Sequence, residues 1–279
     1  MNLFNLSKFE LWAKAKDYEY NTGNQAYRYF LDKESEVIVI DPMPIDQLKC
    51  IYPDNYYSFG ESKGFFSWLV FLKLIIDSFA LSLAFKRTPY RDINILEIGG
   101  SGHLLNLLKK INKRVRCTAV VDLNPSLQVV AHSYGHDFYC GKFEDISFPS
   151  SSFNIALAYN LIEHVESPVD FLRRMYDILE DDGLVVLQTP NWKCLDSKIF
   201  KSHYWAGLHC PRHWHLYSQQ SLRNLASASG FSVDKFKYIQ GSSFLSASVV
   251  FFLNEKFGFA FGGNSGLASS KLFVVLSVL

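Results

Sequence analysis

Ile95-Leu96-Glu97-Ile98-Gly99-Gly100-Ser101-Gly102-His103 is the stretch that decides the reading of this chain: an apolar, strand-like run ends on an acid and passes at once into a glycine-rich loop. Glycine has no Cβ, tolerates positive φ and lets a ligand come within hydrogen-bonding distance of the main chain. A loop of this kind brings backbone N–H groups to a nucleotide-bearing ligand. A short glycine match also fits an ordinary strand-to-helix turn, so the residues downstream must choose between the two.

Cys117-Thr118-Ala119-Val120-Val121-Asp122 is a second apolar run ending on an acid, one strand, helix and strand after the first. A carboxylate only accepts, and at the end of a second parallel strand it can take both hydroxyl protons of a ribose. The competing reading is a solvated turn Asp ahead of Asn124-Pro125. Further on, Phe153 to Tyr159 reads as a buried strand, and Asn160 to Val165 as a short helical turn. Val169 to Leu179 has helical spacing, Asp181-Asp182-Gly183 breaks the chain, and the strand Leu184 to Thr189 stops at Pro190-Asn191. Strands alternating with helices predict an α/β fold, a parallel sheet covered on both faces.

These segments together resemble the class I S-adenosylmethionine-dependent methyltransferases. The resemblance is carried by LEIGGSGHLL at 96–105, VVDLNP at 120–125, FEDISFPSSSFNIALAYNLIEHV at 143–165 and LEDDGLVVLQTPN at 179–191. It is nearest to the small-molecule branch in which Tyr-Pro-x-x-Tyr-Tyr precedes the domain and Pro-Arg-His follows the fifth strand. Here those segments are Tyr52-Pro53-Asp54-Asn55-Tyr56-Tyr57 and Pro211-Arg212-His213. The resemblance implies a Rossmann-like, mostly parallel seven-stranded sheet with an antiparallel last strand, Phe231 to Ile239 pairing with Lys271 to Val278. Helices would cover both faces. It divides the chain into an N-terminal hairpin-like extension (1–58), an apolar cap helix (59–85) and the methyltransferase domain (86–279), with an insertion at about 241–268.

The resemblance also implies roles. Gly99, Gly100 and Gly102 would face the methionine part of S-adenosylmethionine, Glu97 would orient its ammonium group, and Asp122, with Leu123 following, would hold the ribose. Phe143 and Glu144 would flank the adenine, and Tyr159 and Asn160 would lie beside the cofactor. The pattern departs from the family at Ser101 and His103, where glycines are expected, so that the loop is one residue tighter. It departs again at Lys142 and Asn154, each standing where the family often has Asp.

Methyl transfer is an in-line displacement at a sulfonium, so alignment does most of the work, and a base is needed when the acceptor is a hydroxyl. The segment His203 to His215 is the reservoir for that base, with His213 and His215 as candidates; a loop-stabilising role is the alternative for both. His164 reads as structural. Glu163 reads as a surface carboxylate near the positive end of the short helix, worth about 0.3–1 kcal/mol. No metal is expected: His209, His213, His215 and Cys210 lack a second, separated ligand pair.

Composition fits one large α/β domain with appendages: 279 residues allow a sizeable core, and 24 Phe and 15 Tyr suit a pocket, an interface or a membrane-facing surface. A net charge of +1 without a basic run gives no support for a nucleic-acid footprint, and no nucleic-acid partner is expected. The five cysteines form no Cys-x-x-Cys pair, so Tyr27 to Ile40 reads as a hairpin lacking the zinc-ribbon ligands common in the branch. With no secretory signal, a cytoplasmic protein is expected. Residues 64–85 are strongly apolar but carry Lys73 and Asp77, which argues against spanning; a helix packed on the sheet is favoured over one lying on a membrane. Residues 244–262 read as a packing helix, a lid or a membrane-contacting element.

The expected activity is therefore methyl transfer to oxygen, nitrogen or carbon of a small molecule, with a sugar- or lipid-linked intermediate as the leading acceptor class. Peripheral membrane contact and the oligomeric state stay open. A non-catalytic methyltransferase-like scaffold is the principal rival, since the tight loop, Lys142 and Asn154 are changes that loss of cofactor use would permit. A nicotinamide-dependent oxidoreductase would share only the loop and the Asp122 role.

Overall fold

The computed structural model describes residues 8–53, 88–200, 204–239 and 271–278, with short helical pieces at 81, 85–86, 248–249, 251–253 and 256. Most of the apolar stretches 64–85 and 244–262, and Asp54 to Tyr57 of the tyrosine motif, lie outside the described residues. Among the described residues no helix is long and apolar enough to cross a membrane.

Five parallel strands form the centre of the larger sheet: β4 (Ile93–Ile98), β5 (Val115–Asp122), β6 (Asp137–Cys140), β7 (Phe153–Tyr159) and β8 (Leu179–Pro190). With β10 (Phe231–Ile239) and β11 (Lys271–Val278) the order across the sheet is β10-β11-β8-β7-β4-β5-β6, the β11 pairings being antiparallel. From β4 the chain runs outward to β5 and β6, then returns to place β7 on the other side of β4. The crevice at the carboxyl ends of β4 and β7 is therefore the topological switch point, the place where α/β sheets bind ligands.

The burial pattern explains why these runs become inner strands. Every residue of β7 from Phe153 to Ala158 is buried, as a strand covered on both faces requires. Leu96 and Ile98 face one layer, with Phe171, Leu172 and Met175 of α4 (Pro168–Ile178) and Leu222 and Ala226 of α6 (Gln219–Ala228). Ile93 and Ile95 face the other, with Leu104, Leu105 and Leu108 of α2 (His103–Ile111). The same period of two thus feeds both layers.

Asp181-Asp182-Gly183 does not end the strand as its turn-like composition suggests. Phe153 pairs with Leu179 and Ile155 with Leu184, so the three residues are accommodated as an irregularity within β8. Asn154 has a clear structural task at this sheet end. Its buried Oδ1 accepts the Asn94 backbone N–H at 2.7 Å, which a neutral amide does without the cost of burying a charge.

A second, antiparallel sheet has the order β1-β2-β3-β9, from β1 (Phe9–Ala15), β2 (Tyr27–Asp32), β3 (Val37–Asp41) and β9 (His215–Leu216). Its fourth strand comes from the chain that follows β8: Ile38 pairs with Leu216 and Val39 with His215. A separate apolar cluster, including Tyr29, Ile38, Ile40, Trp205, Trp214 and Leu216, fills this junction. The hairpin 27–40 is thus held by packing and by strand pairing.

Candidate functional site

Gly99 and Gly102 have φ of 73° and 80°, a region that costs any residue with a Cβ. The Gly99 N–H donates to the Val121 carbonyl at 2.8 Å, tying the loop to the neighbouring strand. The Gly102 N–H donates to Glu97 Oε2 at 2.9 Å, and Gly102 opens α2. The Glu97 carboxylate thus serves the loop's own backbone. A Cβ on Gly100 would stand 2.6 Å from Glu97 Oε1, and one on Gly99 3.1 Å from Leu161 Cδ1. The loop is a cradle packed so closely that only glycine fits it.

His136, which the sequence did not point to, supports this loop from below. Its Nε2 lies 3.1 Å from the Gly102 carbonyl and its Nδ1 2.7 Å from Thr118 Oγ1. A carbonyl only accepts, so Nε2 carries the proton and Nδ1 accepts from the Thr118 hydroxyl. Burial holds this imidazole below its ordinary pKa and so in the neutral form that the two bonds require. On the sequence His136 is a lone histidine ahead of an edge strand, with no periodic or motif signal.

Asp122 ends β5 beside Gly99. Burial raises its carboxyl to about 6, against the opposing hydrogen bonds of the Asn124 and Leu123 N–H groups. Its Oδ1 accepts from Asn124 N at 2.8 Å, and Leu123 stands exposed next to it. Phe143, expected at the adenine, turns its ring into the core, 5.4 Å from Phe171, because its short 3-10 turn lies against α4; Glu144 is exposed. Tyr159 and Asn160 close the end of β7, Asn160 with φ 51° and its N–H on the Gln188 carbonyl at 2.7 Å. Of the residues expected at the cofactor, the glycines, Glu97, Asp122, Leu123, Tyr159 and Asn160 therefore lie at the carboxyl ends of β4, β5 and β7, whereas Phe143 and Glu144 follow β6.

A second group of polar side chains lies past β7, where the antiparallel sheet meets the larger one. Glu163 is fully buried, not at the surface, because its segment is a turn covered by Trp214 and His215, whose N–H groups both donate to the Glu163 carbonyl. His213 Nε2 is 3.8 Å from Glu163 Oε1, and its Nδ1 is 2.8 Å from the Gly207 carbonyl. His164 Nδ1 is 2.9 Å from the Arg212 carbonyl and 3.0 Å from Tyr52 Oη. Burial, then the neighbouring His209, lowers His164 to about 3, so it is neutral. His209 Nδ1 meets Glu19 Oε2 at 2.5 Å.

His213 thus lies within the cluster, whereas His215 faces elsewhere. It is a strand residue of β9, stacked on Tyr217 at 6.3 Å, and burial lowers it to about 4. Glu19 and Asp17 carry no signal in the sequence, since their partners are far away in the chain, and His164, read there as structural, lies in the same buried cluster.

The glycine cradle, the acidic strand end and the switch-point sheet define the class of α/β proteins that bind an adenosyl ligand at the carboxyl edge of the sheet. Residues 73–235 match the family described as "Methyltransferase domain", well over half of the chain, and the chain belongs to that family. Two relatives are named ubiquinone biosynthesis O-methyltransferase. One, from Bradyrhizobium diazoefficiens, is 30% identical over 123 residues, covering 40% of this chain and 46% of the relative. The other, from Parvibaculum lavamentivorans, is 25% identical over 122 residues, covering 42% and 46%. The match thus spans under half the length of these relatives. The solved YcgJ protein of Bacillus subtilis is similar in fold, with a TM-score of 0.51 at 19% identity, over 72% of this chain and 98% of that one.

S-adenosylmethionine is the cofactor of this family, and the residues fit it. Gly99 and Gly102 hold the positive φ that turns the backbone at the end of β4, and Asp122 puts a half-buried carboxylate at the end of the adjacent strand.

Proposed function

We propose that this chain transfers a methyl group from S-adenosylmethionine to a small-molecule acceptor, with a hydroxyl oxygen as the acceptor atom. The observation that carries this reading is the meeting of the Gly99–Gly102 cradle and the Asp122 carboxylate at the ends of neighbouring parallel strands, within a chain of the methyltransferase-domain family. When bound, the cofactor supplies a methyl group on a sulfonium, which is a good leaving group. Asp122 holds the ribose, and Glu97 keeps Gly102 and the rest of the loop in place. The names of the two relatives support oxygen as the acceptor atom. A sugar- or lipid-linked acceptor is the finer form of the same proposal.

The polar cluster around His213 is the place where an acceptor hydroxyl loses its proton. Leu161, two residues before Glu163 of that cluster, packs on Gly99, so the cluster and the cradle share one connecting segment. His215 acts as a positioning residue through the β3–β9 pairing. Transfer of labelled methyl from S-adenosylmethionine to a panel of hydroxylated small molecules tests the reading. Labelled product that disappears with Asp122→Ala supports it; tight cofactor binding without transfer to any acceptor class favours the scaffold reading.

A further inference from the structure

Three side chains in the buried cluster, Glu163, His164 and His213, each place one ligand atom within 4.8 Å of the other two. What distinguishes them from an ordinary polar core is the way the two imidazoles are held. His213 Nδ1 faces the Gly207 carbonyl at 2.8 Å and His164 Nδ1 faces the Arg212 carbonyl at 2.9 Å. Carbonyls only accept, so both Nδ1 atoms carry protons, His164 sharing its own with Tyr52 Oη as a second acceptor at 3.0 Å, and both Nε2 atoms carry lone pairs. A backbone carbonyl on one ring nitrogen, fixing the tautomer and the ring plane, is how metal-ligating histidines are oriented. The rings lie 4.8 Å apart at 71°, and the third member is a fully buried carboxylate.

We infer that Glu163, His164 and His213 form a site for one divalent transition-metal ion of the zinc type. Imidazole and carboxylate are the donors that zinc takes in three-ligand sites, the fourth position going to water or an oxygen of a bound molecule. With metal–ligand bonds of about 2.0–2.2 Å, tetrahedral ligands stand roughly 3.4 Å apart. The 3.8 Å from Glu163 Oε1 to His213 Nε2 is within a few tenths of that, and the His164 ligand atom, within 4.8 Å of the other two, has to move inward by up to about 1.4 Å to complete the site. Arg212, the nearest guanidinium, is paired with Asp17, and His209 meets Glu19, so the Glu163 carboxylate is the acid that faces the site.

The inference does not depend on methyl transfer, although a metal here would polarise an acceptor hydroxyl if that reading holds. The full chain, stripped with chelator, is titrated with Zn²⁺ by calorimetry and with Co²⁺ by visible absorption, alongside Glu163→Gln, His213→Asn and the surface variant His132→Asn. One equivalent per chain, a tetrahedral Co²⁺ spectrum, and affinity lowered about 10–100-fold in Glu163→Gln and His213→Asn but kept in His132→Asn is the expected result. The wild-type stoichiometry and spectrum are informative even if a variant misfolds. A folded wild type that takes up no metal overturns the inference, and so does binding that only His132→Asn abolishes. Separate titration with S-adenosylhomocysteine distinguishes failure of this site from failure of the methyltransferase reading.

Discussion

Arg212 and Asp17, 195 positions apart in the chain, form an ion pair of 2.7 Å between Nη2 and Oδ2 with both side chains out of water. The guanidinium also lies over the Tyr20 ring, 4.4 Å from its centroid. Burial works against the Asp17 charge, but Arg212, Thr22 and Tyr20 outweigh it and hold this carboxyl below its ordinary range. The pair fastens the N-terminal sheet to the Pro211–His213 segment. Because loss of one member leaves a buried charge uncompensated, Asp17→Asn and Arg212→Met should each cost about 3–5 kcal/mol, and the double variant less than the sum. Denaturant unfolding of the three proteins measures this; a cost for Asp17→Asn below about 1 kcal/mol, typical of surface pairs, would show the fastening lies elsewhere.

Gly102→Ala should damage the cradle twice, through the positive φ and through a Cβ placed 2.7 Å from His136 Cδ2. A loss of about 1–3 kcal/mol in stability is expected, with weakened binding of S-adenosylhomocysteine. Gly23→Ala, whose Cβ meets nothing within 4 Å, is the control and should change neither. Equal behaviour of the two variants would contradict the tight packing of the loop on His136.

Cofactor affinity should depend on pH through Asp122. Its carboxyl titrates at about 6, and only the ionised form accepts from both ribose hydroxyls. Affinity should rise as pH passes upward through that value and then level off. Stability of the cofactor-free chain moves the other way. Since the folded pKa lies above the unfolded one, the Asp122 contribution to stability is greatest below the ordinary carboxylate pKa and is lost as pH climbs through about 6, and it is read as the difference between the wild type and Asp122→Asn. Calorimetric titration and melting across this window check both signs, and Asp122→Asn should flatten the affinity curve.

His213→Asn should lower turnover about 100-fold or more, whether the ring takes the hydroxyl's proton itself or holds a metal ion that activates the hydroxyl, while S-adenosylhomocysteine affinity stays within about twofold. His215→Asn should act more weakly, through the β3–β9 pairing, and should show as lower thermal stability. Steady-state kinetics beside cofactor binding separates the two, and equal loss of turnover in both variants would argue that His213 acts only structurally.

The parallel core was legible because β4, β5 and β7 are apolar runs, with glycine directly after β4 and an acid at the end of β5, signals that local sequence carries. Asp181-Asp182-Gly183 misled because a turn-like composition does not reveal that Phe153 pairs with Leu179 across the irregularity. β9 was invisible for a related reason: two residues have no period, and their partners Ile38 and Val39 lie far away in the chain. The cofactor candidates could be read from motif position, but Phe143 shows the limit of that reading, since the ring at the expected place faces the core. Glu163 was misplaced at the surface because acids usually stand there, and only the turn over Trp214 and His215 buries it.

Calorimetric titration of S-adenosylhomocysteine into the wild type and Asp122→Ala tests the central claim most directly. The account predicts one site per chain in the wild type and an affinity lower by about 10–100-fold in the variant, the worth of a charged hydrogen-bonding group. A folded wild type that gives no binding heat at any temperature tried, or an Asp122→Ala variant that binds as the wild type does, would contradict it.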